Sequence, residues 1–376
     1  MAVDVSPGVA EKKNTPSKHA APKLRLVNSR AGRIGVAAFI VFIVAFPLNF
    51  GDTYWLGVLN TAGIAAIAGI GLNILTGYAG QLSLGHAAFV SIGAFTAQYV
   101  GGQLGMPMIV WLPVAGIAAA IVGAAVAPFA LRLHGPYLAI VSLALVAIVI
   151  WVARNIPSIT GGNEGTFVTA EATLGPINFA ELTIGPLAFV REQGMFILIW
   201  SMVGVFLLLT ANVMRTRAGR AMQAVRDHDI AAEVLGVRMM RTQANAFVLS
   251  TFIAGVAGGL LAVNLEYIRP DEFGVHKSVE YLAIIVIGGL ASLWGPVLGA
   301  LFVTMVPVIV DLFADSLPFI QHGGTDGMST TDMSLLLYGL LIVIFLLAEP
   351  KGLVAVIRRI GDRVRRSRKA VAGSPA

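Results

Sequence analysis

Residues 108–131 read MIVWLPVAGIAAAIVGAAVAPFAL, 24 positions without a charge. Coiled as a helix at about 1.5 Å per residue, such a run exceeds the ~30 Å of hydrocarbon in a bilayer. It is one of a series. Apolar stretches recur at about 34–50, 55–76, 83–101, 136–153 and 194–212, and then at 244–265, 279–290, 297–313 and 334–348. The whole chain of 376 residues is 57% hydrophobic and 12% charged, with a mean hydropathy of +0.82. Soluble domains carry roughly a quarter charged residues, so the sequence excludes a soluble enzyme and predicts an all-α, polytopic transmembrane bundle. The absence of cysteine removes disulfides, thiolate metal sites and thiol nucleophiles.

The net charge of +6 is an orientation signal. Of 26 Lys and Arg residues, 21 fall within 1–33, 213–243 and 351–376. Basic residues beside spans mark the cytoplasmic side, so both termini and the 213–243 loop are expected there. Six spans before the loop and four after it satisfy that parity. The 279–313 region is the weak point. Val279–Leu290 is only 12 residues and is followed by Ala291-Ser-Leu-Trp-Gly-Pro296, so a re-entrant or broken helix, and a total of eight or ten spans, remain open. The 1–33 tail, with Pro7, Pro16 and Pro22, lacks signal-peptide order and is expected to be disordered and uncleaved. The transmembrane domain is expected over 34–350, the second basic tail over 351–376. The external loop 154–193, with Glu164, Glu171, Glu181 and Glu192 against Arg154 and Arg191, is expected to form a cap of short elements.

Three stretches carry chemistry. In TGYAGQLSLGHAAF (76–89), preceded by Asn73, the polar groups of Asn73, Gln81, Ser83 and His86 interleave with glycines between two spans. Polar residues at membrane depth are candidates for a transport pathway or for hydrogen bonds between helices, and both readings stand. No carboxylate or second histidine is spaced to make His86 a general base or a metal ligand. In GRAMQAVRDHDIAAEVLGV (219–237), Ala218, Ala221, Met222 and Val225 follow helical spacing, and a second short helix is delimited by Asp229 as N-cap and Gly236 as C′ residue. Two amphipathic helices between spans suit docking on another protein or lying on the membrane surface. The third stretch is GGLASLWGPVLGA (288–300), with Gly288 and Gly289 as pathway candidates. GxxxG pairs at Gly255/Gly259 and Gly295/Gly299 predict close helix packing.

These motifs, with Thr160-Gly-Gly-Asn-Glu-Gly165, resemble the permease subunits of ABC importers for branched-chain amino acids, of the LivM type, over about residues 55–352. The resemblance implies a second, paralogous permease, two cytoplasmic ATPase subunits that bind ATP and magnesium, and an external solute-binding protein. It implies a bacterial inner-membrane location, no catalysis or cofactor in this chain, and no nucleic acid. It also implies that Arg220, Asp229, Ala231, Ala232, Glu233 and Gly236 meet the ATPase. Ile230 stands where an acidic residue is expected and Ala291 where glycine is common. No GxxxxGK[ST] phosphate loop occurs, so energy must come from a partner or an ion gradient. Relatives that carry urea, short amides or other amino acids keep those substrates open. An ion-coupled transporter needs a mid-span carboxylate, whereas Glu280 and Asp311 are expected near span ends.

Overall fold

The computed structural model describes residues 52–130, 136–184, 187–314 and 330–348, with isolated positions between 39 and 49 and between 352 and 359. Most of the expected 34–50 span and the basic tails lie outside the described residues. The helices are α1 (Thr53–Leu72), α2 (His86–Ala97), α3 (Met108–Ala130), α4 (Pro136–Arg154), the single turn α5 (Pro157–Thr160), α6 (Arg191–Arg215), α7 (Arg217–Asp227) and α8 (Asp229–Val234). They continue as α9 (Met239–Leu265), α10 (Val275–Gly288), α11 (Gly295–Ala314) and α12 (Thr330–Ala348). Helix α1 starts where Asp52 caps it, its carboxylate accepting from the Tyr54 amide at 3.0 Å. It runs on through a π-helical segment, Asn73–Tyr78, and α2 likewise runs on through Gln98–Gln103.

Among the described residues, five helices are individually long and apolar enough to cross a membrane: Thr53–Tyr78, Met108–Phe129, Arg191–Arg215, Met239–Leu265 and Gly295–Leu312. Their burial orders them. The most apolar 18 residues of α1 and α9 are 83% buried, those of α3 only 33%. The two central helices are rich in glycine and alanine, while α3 turns Ile109, Ile121 and Phe129 outward. In water such exposed side chains would mark a binding patch; around a membrane bundle they are the lipid face.

Small residues set the spacing at the centre. A Cβ on Gly93 of α2 would overlap the Gly255 carbonyl oxygen of α9, and one on Gly258 would overlap the Val90 carbonyl oxygen. Gly255 in turn sits against the Ala115 carbonyl of α3. With lipid as apolar as leucine, such backbone approach supplies the dispersion contacts that hold helices together.

One end of the bundle carries α7 and α8. The other carries a cap of short elements over 155–190, as expected. There β1 (Thr166–Phe167) pairs antiparallel with β6 (Tyr267–Ile268), in register Thr166↔Ile268, and two further two-residue hairpins follow: β2–β3 (Thr173–Leu174, Ile177–Asn178) and β4–β5 (Thr183–Ile184, Leu187–Ala188). Arg154 pairs with Asp271, and the Tyr267 hydroxyl donates to the Glu164 carbonyl. The cap is thus fastened to the chain that leaves α9.

That chain resolves the ambiguity over 279–313. Helix α10 has 14 residues, about 21 Å at 1.5 Å per residue and too short to cross alone. The rest of the depth is taken by Tyr267–Gly274, which includes a 3₁₀ turn, Pro270–Phe273, with Pro270 and Phe273 buried. Phe273 stacks edge-on with Phe95 of α2. The chain here is a broken, buried segment rather than one continuous helix, and α11 packs back against it: a Cβ on Gly299 would overlap the Ile284 carbonyl oxygen. A Gly93→Ala substitution is expected to destabilise the bundle by about 1–3 kcal/mol through overpacking. Gly57→Ala, with nothing within 4 Å of the added carbon, should leave the thermal midpoint of the detergent-purified protein unchanged.

Candidate functional site

Two helix breaks meet at the α7–α8 end of the bundle. The first lies between α1 and α2, over residues 79–85, and the second between α10 and α11, over Gly289–Trp294. Asn73 joins them. Its Nδ2 donates to the Ser292 carbonyl at 2.8 Å, and its Oδ1 accepts from the Ala291 amide at 2.9 Å. Gly77 is small because this amide lies over it. Within the first break, the Thr76 hydroxyl donates to the Gln81 carbonyl at 2.8 Å, and the Gln81 amide to the Leu75 carbonyl at 3.1 Å. Backbone freed from helix at membrane depth is thereby paired again, as it must be without water.

The predicted pathway residues divide on this geometry. Asn73 is a clamp with both amide atoms engaged. His86, 1% exposed, donates from Nε2 to the Ala68 carbonyl of α1 at 2.9 Å and lies edge-on to Tyr281 of α10, so it bonds neighbouring helices. Ser83 is buried beside the Gly85 amide, and Leu84 donates to the Ser142 hydroxyl of α4 at 2.9 Å. Gln81 differs: it is buried, yet neither its Oε1 nor its Nε2 has a partner among the described residues. Gly288 and Gly289 belong to the α10–α11 turn. A Cβ on Gly288 would overlap the Gly295 carbonyl oxygen, and Gly289 has φ +120° and abuts Gly352. Their role there is close packing.

The substitution at Ala291, which looks minor in sequence, falls where geometry demands glycine. Ala291 has φ +54°, and it shares the left-handed region with only one other described non-glycine residue, Glu266. A left-handed alanine costs roughly 1–2 kcal/mol, and the Asn73 clamp holds it there.

Helix α7 is capped by Thr216, whose hydroxyl accepts from the Gly219 amide. Its buried face is Gly219, Met222 and Val225; Ala218, assigned to that face by spacing, is exposed. Arg226 was passed over as a charge in a basic loop. Its Nη1 donates to the Gly77 carbonyl at 3.0 Å, and its stem packs on Gly80, which has φ +73°. One guanidinium therefore ties α7 to the first break. Arg220 donates to the Arg215 carbonyl at 2.9 Å, closing the end of α6.

In α8 the N-cap is His228 rather than Asp229, which is the first helical residue and accepts from the Ile230 amide. The other end is as expected. Gly236, φ +84°, donates to the Glu233 carbonyl and Val237 to the Ala232 carbonyl, a Schellman closure. Ala232 faces inward at 3% exposure, whereas Asp229, Ala231, Glu233 and Gly236 are exposed. Beside them Ile230, Val234 and Leu235 stand 76%, 81% and 83% exposed. Three large apolar side chains on six consecutive residues have no cover among the described residues.

A cavity of about 540 Å³ opens toward the cap end, between the start of α1, the start of α6 and the α10–α12 helices. Among its lining residues are Lys277 and Glu280, bonded Nζ to Oε2 at 2.9 Å with side chains 20% and 14% exposed. This corrects the expectation for Glu280: it lies in the second turn of α10, inside the bundle and beside a lysine. The i, i+3 spacing was the available signal, but two charges next to a short apolar run read as its boundary. Asp311 is exposed near the end of α11, as expected.

A polytopic helical bundle with stitched helix breaks, an internal cavity and a short-helix pair of unburied apolar face is the build of a membrane permease. The chain belongs to the family described as branched-chain amino acid transport system / permease component, whose profile matches residues 54–346. The high-affinity branched-chain amino acid transport system permease protein LivM of Escherichia coli (strain K12) is 29% identical over 346 residues, covering 87% of this chain and 76% of that one. The corresponding protein BraD of Pseudomonas aeruginosa is 24% identical over 280 residues, 68% of this chain and 85% of BraD. The fructose import permease protein FrcC of Rhizobium meliloti is 33% identical over 145 residues, 38% of this chain and 37% of its own. No solved structure matches the chain.

Substitutions at the clamp have opposite expected signs. Ala291→Gly should raise stability by up to about 1 kcal/mol by relieving the left-handed strain, whereas Asn73→Leu should lower it by about 1–3 kcal/mol by orphaning two backbone groups. Gln81→Leu, with no side-chain partner to lose, should be neutral or stabilising. Thermal unfolding of the three variants in one detergent orders them.

Proposed function

We propose that this chain is a non-catalytic permease subunit of an ATP-driven importer that carries leucine, isoleucine and valine across a bacterial inner membrane. In this reading the α7–α8 end lies in the cytoplasm with both termini, and the cap over 154–193 lies outside. The basic clusters support that orientation. The permease domain is 34–350, between the tails 1–33 and 351–376. A paralogous permease completes the pathway, two ATPase subunits bind ATP and magnesium, and an external solute-binding protein delivers the solute. Family membership supports the partner set, and the names of LivM and BraD support the substrate class.

The observation that carries the mechanism is α8 itself: Ile230, Val234 and Leu235 face away from the chain, while α7 behind them is tied through Arg226 to the Gly77 carbonyl. Closure of the ATPases pushes on α8; α7 moves with it and pulls on the break between α1 and α2, tilting those spans about the pathway. Asn73 and His86 hold the moving parts together. Gln81, whose side-chain amide has no partner among the described residues, is the group of this segment that meets solute or the partner permease.

Val234→Glu and Leu235→Glu should abolish co-purification of the ATPase subunits and uptake while leaving membrane insertion intact; an assembled, transporting Leu235→Glu complex overturns the dock. Charge at Ala232 is a poorer probe, because that residue packs inward and the helix itself would open. The substrate is tested by uptake of labelled leucine, isoleucine, valine and urea into proteoliposomes holding the full complex. Uptake of urea and none of the amino acids overturns the substrate reading.

A further inference from the structure

The cavity at the cap end contains more than a helix pair needs. Lys277 and Glu280 sit there as a neutral couple, and their single mutual bond uses one of three ammonium protons and one of two carboxylate oxygens. Asn60, 1% exposed, also lines it; its Nδ2 donates to the Glu192 carbonyl at 3.0 Å, but its Oδ1 has no partner among the described residues. The Thr304 hydroxyl on α11 is likewise buried without a partner. Buried polar atoms are paired in most native structures, so an unpaired acceptor beside a charge couple marks a place where something else binds.

What binds is defined by the charges. A lone cation would meet Lys277 and a lone anion Glu280. A molecule bearing both charges two bonds apart can bring its carboxylate to the lysine and its ammonium to the glutamate. The rest of the wall is mixed: Val58, Pro307 and Val308 form an apolar side, while Arg191, Glu192 and Asn264 line the mouth toward the cap. At about 540 Å³ the cavity is within the ~300–1,000 Å³ range of small-molecule sites.

We propose that Lys277 and Glu280, with the Asn60 carboxamide oxygen, form a binding site within the permease for the zwitterionic head of a free aliphatic amino acid, whose side chain lies against Val58 and Val308. The inference rests on the amino-acid reading given above and adds that the permease itself inspects the head group after the solute-binding protein has released it. A structural ion pair would serve the fold equally well as two neutral residues of the same shape, which separates the two roles.

The test uses the complete complex in proteoliposomes, with solute-binding protein saturated by labelled leucine, and compares the wild type with K277Q, E280Q and K277Q/E280Q. The double variant leaves no unpaired charge, so its assembly and thermal midpoint should match the wild type, and it keeps the result readable if a single variant fails to assemble. Its leucine uptake should fall about tenfold or more, as expected when both charged anchors of a buried site are lost. In nanodiscs without the binding protein, leucine should protect the wild-type complex against thermal unfolding, while leucinamide and 4-methylpentanoate, each with one of the two charges, should not. Equal leucine uptake by the wild type and the double variant overturns the site and leaves the substrate reading standing. Uptake of urea but no amino acid by the wild type overturns both.

Discussion

Backbone inside a bilayer has no water to fall back on, and that constraint organises this molecule. Wherever a helix stops at depth, a side chain from elsewhere must take over the abandoned groups. Asn73 does so for the α10–α11 turn, Thr76 for the residues after its own helix, Ser142 for Leu84 and Arg226 for Gly77. The contacts of Asn73, Ser142 and Arg226 also link otherwise separate elements. In the mechanism proposed above, the residues that make the breaks tolerable are also the ones through which a movement at α7 reaches the spans.

The close-packed centre and the stitched breaks divide the labour. Where α2, α3 and α9 meet at Gly93, Gly116, Gly255 and Gly258, backbone lies on backbone and offers little room for rearrangement. The polar joints sit toward the α7–α8 end instead, where hydrogen bonds can be exchanged without opening a void. Charge is placed by the same logic. Arg191 bonds the Val263 carbonyl and pairs with Glu266 at 3.0 Å, closing the cap end of α9 with half-exposed charge, while Lys277 and Glu280 lie deeper and neutralise one another.

The helices were legible because hydrocarbon thickness imposes length and composition on each span separately. Apolar runs at 194–212 and 244–265 fall inside α6 and α9, and that at 55–76 falls inside α1 and its π-helical continuation. The run expected from residue 83 begins as helix only at His86, because Gly80 and Gly85 belong to the break, where apolar content looks the same whether or not the backbone is coiled. The candidate site was legible in residue type but not in pairing. Asn73 and Ala291 are 218 positions apart, and no local pattern shows that one holds the other in a left-handed turn. Nor does periodicity show which way a short helix faces. Ala232 and Val234 both fit an exposed motif, yet only packing on α7 sends the first inward and the second out.

The exposure of Ile230, Val234 and Leu235 bears on how the chain behaves before it has any companion. Ile121 and Phe129 belong to an apolar belt on a span, whereas α8 is a six-residue helix at the end of the bundle, beside the charged residues of α7. On the docking reading proposed above, a copy made in excess of its partners carries this apolar patch uncovered. On the same reading, balanced synthesis of the subunits is what covers it.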